Sequence, residues 1–178
     1  MTSLVDRIIA ISESLERSSI PWALGGALAL AYATSEPRGT RDIDVNVFVR
    51  ATQATRVFAA LPSGVGFSDA DAAEAVLRDQ VRLWWDQTPV DVFFAADEFH
   101  LDVATRCRVV PFEGHRIRVL SAEDLAVFKA MFDRTKDWAD IEAMVESRAI
   151  DLDVAADRLA ELLGDDPRVD RLRTTTAP

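Results

Sequence analysis

One segment, residues 41–49, constrains the fold of this chain more than any other. It reads RDIDVNVFV, and its apolar residues alternate with Asp42, Asp44 and Asn46. An alternation of period two predicts a β-strand that buries one face and leaves the other polar. Side chains two positions apart share a face and lie about 6.6–6.8 Å apart. The polar face therefore presents two neighbouring carboxylates, which either line a solvated edge or bind a common cation.

A third carboxylate, Asp91, lies inside an apolar segment that reads PVDVFF. Residues 80–86 and 90–95 both have strand character, and residues 87–89 suit a hairpin connection between them. If the second strand pairs with residues 41–49, Asp91 lies roughly 5 Å from that strand on the same face. Three adjacent carboxylates repel one another and resist burial. A divalent cation such as Mg²⁺ would relieve this repulsion, because it binds carboxylate oxygens together with water and phosphate.

A glycine pair, Gly25-Gly26, separates the short apolar run WAL from the helix-forming run ALALAYA. We therefore expect a strand, a tight turn and a helix. Glycines at such a turn let the backbone approach a ligand, and N–H groups at the helix start can face an anion such as a triphosphate. A tight turn that needs a positive φ is the alternative explanation for the pair.

The chain of 178 residues suffices for one domain, or for one domain with a helical appendage. We expect an α/β core over residues 1–120, a helical region packed on it over 121–168 and a disordered tail over 169–178. Within the core, a helix over residues 52–61 should be followed by a loop. The two histidines, His100 and His115, have no ligand spacing and are expected at the surface.

The formal net charge is −10, from 20 basic and 30 acidic residues. A domain that binds nucleic acid over its whole surface is basic. Because this chain is acidic, contact with nucleic acid would need a local basic patch or bridging metal ions. No apolar run approaches the ~18 residues that span a bilayer, and the single cysteine excludes a disulfide framework. These features predict a cytoplasmic protein with no membrane partner.

The glycine pair, the segment RGTRDIDV and Asp91 are most informative in combination. Together they resemble the nucleotidyltransferase superfamily typified by DNA polymerase β. The segment GGALALAYATSEPRGTRDIDV is similar to the toxin-type nucleotidyltransferases of type IV toxin–antitoxin systems, the AbiEii-like and MenT-like group, and SAEDLAVFKAMFDRTKDWADI is similar to a later helical part of that group. The resemblance implies an α+β fold, with a mixed sheet flanked by helices and a C-terminal helical bundle.

The resemblance also implies roles for individual residues. Two Mg²⁺ ions would be held by Asp42, Asp44 and Asp91, and Asp91 would help to deprotonate an attacking hydroxyl. Lys129 would join these three acids as a catalytic residue that contacts the triphosphate. The residues expected to bind the nucleotide are Gly25, Gly26, Arg38, Thr40, Arg41, Lys136 and Asp137. The residue types leave other roles open, because the arginines could pair with nearby acids, Thr40 could cap the turn and Asp137 could interact with a helix dipole.

The implied reaction moves a nucleoside monophosphate from an NTP such as ATP to an acceptor hydroxyl and releases pyrophosphate. For the toxin-type group the expected acceptor is RNA, especially the 3′ end of tRNA, and a cognate antitoxin protein is an expected partner. The acidic net charge instead favours a small cationic acceptor of the aminoglycoside type. A protein acceptor and a non-catalytic nucleotide-binding role are further alternatives.

Overall fold

The computed structural model describes residues 2–37 and 39–178, which form two compact units. The first unit comprises residues 2–26 and 39–119, and the second comprises 27–37 and 120–178. The chain therefore leaves the first unit directly after Gly26 and returns to it after residue 37.

The first unit is built on one mixed β-sheet. Its strands are β1 Trp22–Leu24, β2 Ile43–Val47, β3 Val65–Gly66, β4 Gln80–Trp85, β5 Thr88–Phe94, β6 Arg108–Phe112 and β7 His115–Val119. Over the described residues the strand order is β3-β4-β5-β2-β1-β7-β6. β2 runs parallel to β5 and β1 runs parallel to β7, whereas the other neighbours are antiparallel.

The helices alternate with the strands up to β7 and then follow one another. They are α1 Leu4–Arg17, α2 Gly26–Thr34, α3 Ala54–Ala60, α4 Asp69–Arg78, α5 Glu98–Val103, α6 Ala122–Phe132, α7 Thr135–Glu146, α8 Leu152–Leu163 and α9 Pro167–Arg173. The mixed α+β fold that the sequence predicted, with a sheet flanked by helices, is confirmed. None of the helices in the described part of the chain is both long and apolar enough to span a bilayer.

One face of the sheet packs into the core of the first unit. Val45, Val92 and Leu83, on three adjacent strands, are buried together with Ile11 of α1 and Phe58 of α3. The alternation in each strand sends the intervening side chains to the opposite face. That opposite face carries the polar residues of β2, β4 and β5, and we refer to it below as the acid face.

The helices of the second unit pack on one another through α6, which contacts α7, α8 and α9. Asp124 of α6 is fully buried and accepts a hydrogen bond from the Arg158 guanidinium of α8 at 3.0 Å. The N-cap Ser121 donates a further hydrogen bond to the same carboxylate at 2.8 Å. A buried carboxylate is tolerated here because a cation and a hydroxyl both compensate its charge.

Three sequence expectations differ from the structure. A disordered tail was predicted over 169–178, but residues 169–173 belong to the helix α9. Asp166 caps that helix, Pro167 is its first residue, and Val169 and Leu172 are buried. The loop predicted after residue 61 contains α4, which starts at a reciprocal capping box between Ser68 and Asp71.

The third difference concerns His100, which is buried rather than exposed. It lies in α5, and its ring packs edge-on against Phe48 with 5.8 Å between the ring centroids. Burial, the largest influence, lowers its pKa from 6.5 to about 4. His100 is therefore a neutral core residue at pH 7.

Candidate active site

The acid face carries a row of three charged side chains across adjacent strands. The parallel pairing of β2 with β5 sets Asp44 opposite Asp91, and the antiparallel pairing of β4 with β5 sets Arg82 opposite Asp91. Residues paired in this way project from the same face. The pairing of residues 41–49 with 90–95 on which the predicted acid group depended is therefore present.

Asp91 is buried and is held by both of its oxygens. The Arg82 guanidinium donates from Nε to Oδ1 and from Nη2 to Oδ2, each at 2.7 Å. This bidentate pair, first through its hydrogen bonds and then through its charge, raises the pKa of Arg82, and the negative charges of Asp42 and Asp44 add to the effect. The guanidinium therefore lies in the electrostatic field of all three acids.

Arg82 is the residue of this row that the sequence analysis missed. Its signal is present in QVRLWW, where Arg82 lies between Val81 and Leu83 and so must point away from the core. The hairpin register was needed to show that it faces Asp91. A metal ion was inferred for this carboxylate, and an arginine occupies both of its oxygens in the structure.

Gly26 comes closer to Asp44 than any residue with a side chain could. Its φ is +51°, and a Cβ built on it would lie 1.8 Å from Oδ2 of Asp44. The preceding Gly25 donates its N–H to the Asp44 carbonyl oxygen at 2.9 Å, so this amide is used inside the protein. The glycine pair thus allows the turn to pass directly over the Asp44 carboxylate.

Asp42 lies just before β2 and is oriented by Thr40. The Thr40 hydroxyl donates a hydrogen bond to Oδ1 of Asp42 at 2.5 Å, and the Asp42 N–H donates one to the same hydroxyl oxygen at 3.4 Å. Arg41 is exposed and forms no ion pair with the other described residues. Arg38, predicted to bind the nucleotide, lies outside the described residues.

The donor set of this face matches a hard cation only in part. Asp42 and Asp44 offer carboxylate oxygens of the kind that Mg²⁺ takes, and Gly26 lets the backbone lie against the Asp44 carboxylate. Asp91 is bound to Arg82 on the β4 side. Across residues 2–37 and 39–178, no three His, Cys, Asp or Glu side chains are grouped as ligands of one ion. The residue types therefore fit a metal at this face, and Asp91 could be a ligand only if it separated from Arg82.

The predicted residues of the second unit form a separate ion cluster. Lys129 Nζ lies 2.6 Å from Oδ2 of Asp140 and 3.6 Å from Oδ1 of Asp137. Arg134 Nε donates to Oδ2 of Asp137 at 2.5 Å. Lys129 and Asp137 are both buried, whereas Lys136 is exposed in the first turn of α7. Lys129 therefore reaches an anion, as its position in an apolar helix suggested, but the anions are carboxylates of this chain.

The charges around Asp137 determine its ionisation. Burial is the largest single influence and opposes the charged form. The hydrogen bond from Arg134 and the charges of Lys129 and Arg134 together outweigh burial, so the pKa of Asp137 lies below its ordinary value of 3.8. Asp137 is therefore ionised at neutral pH.

A family model described as "nucleotidyltransferase of unknown function (DUF6036)" matches residues 4–172. The chain belongs to this nucleotidyltransferase family. The superfamily predicted from the glycine pair and the three acids is thereby confirmed, and the toxin-type group within it stays a prediction. No curated protein matches the sequence.

Solved structures share the fold of this nucleotidyltransferase at low sequence identity. ANT(2")-Ia in complex with adenylyl-2"-tobramycin is 18% identical, with a TM-score of 0.57 over 95% of this chain and 94% of that one. An antigenic nucleotidyltransferase-like protein from Paracoccidioides brasiliensis is 14% identical, with a TM-score of 0.57 over 97% and 93%. The lincosamide antibiotic adenylyltransferase LnuA, bound to lincomycin, is 14% identical, with a TM-score of 0.53 over 78% and 94%.

Proposed function

We propose that this nucleotidyltransferase moves a nucleoside monophosphate from an NTP to a hydroxyl of a small, cationic acceptor. The observation that carries the proposal is the charged row on the acid face, where Asp44 and Asp91 are in register and Gly26 approaches Asp44 without a side chain. Family membership supports the reaction type.

Asp42 and Asp44 would bind divalent metal together with the triphosphate of the NTP. When bound, Mg²⁺ neutralises charge on the phosphate oxygens and aligns the attacking and leaving groups. Thr40 keeps the Asp42 carboxylate oriented, and Gly26 lets the turn pass close to the Asp44 carboxylate. Together these residues would hold the triphosphate at the acid face.

Asp91 would accept the proton of the acceptor hydroxyl. The hydroxyl oxygen forms a bond to the α-phosphorus, the bond from that phosphorus to the bridging oxygen breaks, and pyrophosphate leaves. Each carboxylate oxygen has about two lone-pair sites, so Asp91 can accept a proton while Arg82 still holds its orientation. In this scheme Arg82 is a positioning residue.

The acceptor class is supported by charge and by the fold neighbours. A chain with a net charge of −10 attracts cations and repels polyanions. One structure that shares its fold is a complex with adenylyl-2"-tobramycin, and another is a lincosamide antibiotic adenylyltransferase bound to lincomycin. Both observations favour a small amine-bearing alcohol as the acceptor.

A second candidate function is the modification of RNA by a toxin-type enzyme. It is supported by the resemblance of the segment from Gly25 to Val45 to that group. In this case the acceptor would be the 3′ end of a tRNA, and an antitoxin protein would be a partner. The acidic net charge weighs against it, because RNA would have to bind through a local basic patch.

Radiolabelled NTPs test both candidates in one assay. The purified protein is incubated with Mg²⁺ and each α-labelled NTP, against tobramycin, lincomycin, total tRNA and a protein extract. We expect label on a small molecule, loss of that label in Asp42→Asn, and wild-type labelling in Asp102→Asn, which removes an exposed acid of α5 in the same unit. Label on tRNA would favour the toxin-type function, and NTP binding without any transfer would contradict both.

A further inference from the structure

The two tryptophans at the end of β4 project to opposite faces of the sheet. Trp85 lies on the core side, where the Arg7 guanidinium of α1 is 5.6 Å from its ring centroid and its indole nitrogen lies beside Gly64. Trp84 must therefore project to the acid face, which it shares with Arg82 two residues earlier. Residues two apart on a strand face are separated by about 6.6–6.8 Å.

Trp84 is 49% exposed although it is a large apolar side chain. Its cross-strand neighbours are Gly66 on β3 and Pro89 on β5. A Cβ built on Gly66 would meet only the Trp84 carbonyl oxygen, at 3.8 Å, so the indole does not pack over this glycine. In the described part of the chain, no aromatic ring or guanidinium stacks on Trp84. Its ring face is thus open.

The position of Trp84 relative to the acids indicates what could bind there. Trp84 is the diagonal neighbour of Asp91, and such neighbours lie about 7–8 Å apart, within reach of an aromatic side chain. Gly26 and Asp44 lie on the opposite side of Asp91 in the strand order β4-β5-β2-β1. In an in-line transfer the attacking and leaving oxygens are on opposite sides of the phosphorus. If the triphosphate lies at Gly26, the acceptor approaches from the side of Trp84.

We propose that the indole of Trp84 forms the floor of the acceptor subsite and stacks against a ring of an amino sugar or aminocyclitol. This inference rests on the proposed function, because it uses Asp91 as the proton acceptor. A saccharide ring presents an apolar C–H face that an indole can cover. Its ammonium groups are attracted to the indole face. The open ring of Trp84 next to Asp91 thus combines both modes of recognition.

Steady-state kinetics with tobramycin as the acceptor test this subsite. Trp84→Ala should raise the KM for tobramycin by about 5- to 10-fold, the size of one cation–π and stacking contact. It should leave the KM for the NTP unchanged, and Trp84→Phe should recover most of the affinity. The control is Leu77→Ala, which truncates an apolar side chain of α4 that is 79% exposed. Circular dichroism and thermal unfolding establish that each variant is folded.

A binding measurement separates this inference from the proposed reaction. Calorimetry with tobramycin and with lincomycin, without NTP, should show weaker binding to Trp84→Ala than to the wild type. If the wild type transfers no label but this difference in binding is found, the proposed function fails and the acceptor subsite stands. The subsite is overturned if Trp84→Ala matches the wild type, if it raises the KM for the NTP instead, or if the wild type binds neither compound.

Discussion

Each unit of this nucleotidyltransferase holds a buried carboxylate against an arginine, but only the second unit adds a buried lysine. In the first unit Asp91 is bound by Arg82, whose side chain is 53% exposed. In the second unit Asp137 is bound by Arg134, which is equally exposed, and also lies 3.6 Å from Lys129, whose side chain is only 10% exposed. The two units therefore differ in the interior ammonium group and not in the arginine.

The difference separates an exchangeable contact from a fixed one. An exposed guanidinium can leave its carboxylate and become hydrated, whereas a buried ammonium cannot replace its carboxylate partners by water. Arg82 can therefore yield Asp91 to another ligand, and Lys129 is confined between Asp137 and Asp140. We propose that the Arg82–Asp91 pair serves function and that the contacts of Lys129 serve stability.

The largest effect on activity is expected from a substitution in the acid face itself. Asp44→Asn keeps the shape of the side chain and removes its charge, so it should lower nucleotidyl transfer by about 10³-fold. Its thermal stability should stay close to that of the wild type, because the residue is not in the core. Transfer rates and a melting curve check this prediction, and unchanged transfer would remove Asp44 from the site.

The next effect tests the fixed contact. Lys129→Met should lower the free energy of unfolding by about 3 kcal/mol, because it leaves the half-buried Asp140 without its cation and removes one of the two cations beside Asp137. Urea unfolding followed by circular dichroism measures the change. Arg82→Ala is the matched comparison and should cost only about 1 kcal/mol, because removal of this half-exposed side chain lets water reach the Asp91 carboxylate. Equal losses in the two variants would contradict the distinction between the units.

Gly26→Ala tests whether activity needs the close approach of the turn to the Asp44 carboxylate. The new Cβ would collide with Oδ2 of Asp44, so we expect transfer to fall by about 100-fold as the carboxylate is displaced. Gly114→Ala serves as the control, because Gly114 also has a positive φ, +79°, but has no atom within 4 Å of the added Cβ. Both variants should lose about 1 kcal/mol of stability from backbone strain, and only the first should lose activity.

A smaller effect concerns competition for Asp91. If Arg82 yields this carboxylate to a metal, Arg82→Ala should bind Mg²⁺ several-fold more tightly, since one competitor is removed. Differential scanning fluorimetry with increasing Mg²⁺ measures the affinity as a shift in Tm. Arg82→Lys, which keeps a charge but not the bidentate geometry, should fall between the two. A Mg²⁺ response identical in all three proteins would show that Asp91 takes no part in metal binding.

The smallest effect is a change in stability that is expected only at acidic pH. Because the folded state lowers the pKa of Asp137, this residue stabilises the protein above its ordinary value of 3.8, and that contribution is lost as the pH falls below 3.8. Stability measured from pH 5 to pH 2.5 should therefore decline less steeply in Asp137→Asn than in the wild type. Asp165→Asn, at an exposed loop position, should decline like the wild type.

The sequence was most informative where a short-range pattern determines the structure. The alternation around Asp42 and Asp44 predicted β2, and the same rule with a hairpin predicted β4 and β5. The helix α4, where a loop was predicted, has a short-range signal of the same kind, since Ser68 and Asp71 have the spacing of a capping box. These features depend on neighbours within a few residues.

The other features of the site depend on contacts between residues that are distant in sequence. The pairing of Arg82 with Asp91 could be predicted only from the hairpin register, and the approach of Gly26 to Asp44 only from the position of the turn over the strand. For Lys129, the helical position predicted that it would reach water or an anion, but α7 had to be packed before Asp137 and Asp140 could be recognised as the anions. The ligands of a charged group were thus the least predictable part of the site.

The division of the second unit into two chain segments has a consequence for synthesis. Its first segment, residues 27–37, is translated about 80 residues before its second segment begins at Leu120. At ribosomal rates of about 5–20 residues per second, this leaves the apolar run ALALAYA without its partners for roughly 4–16 s. During that interval the nascent chain presents a segment suited to chaperone capture, and the completed unit can form only after release of the C-terminal helices.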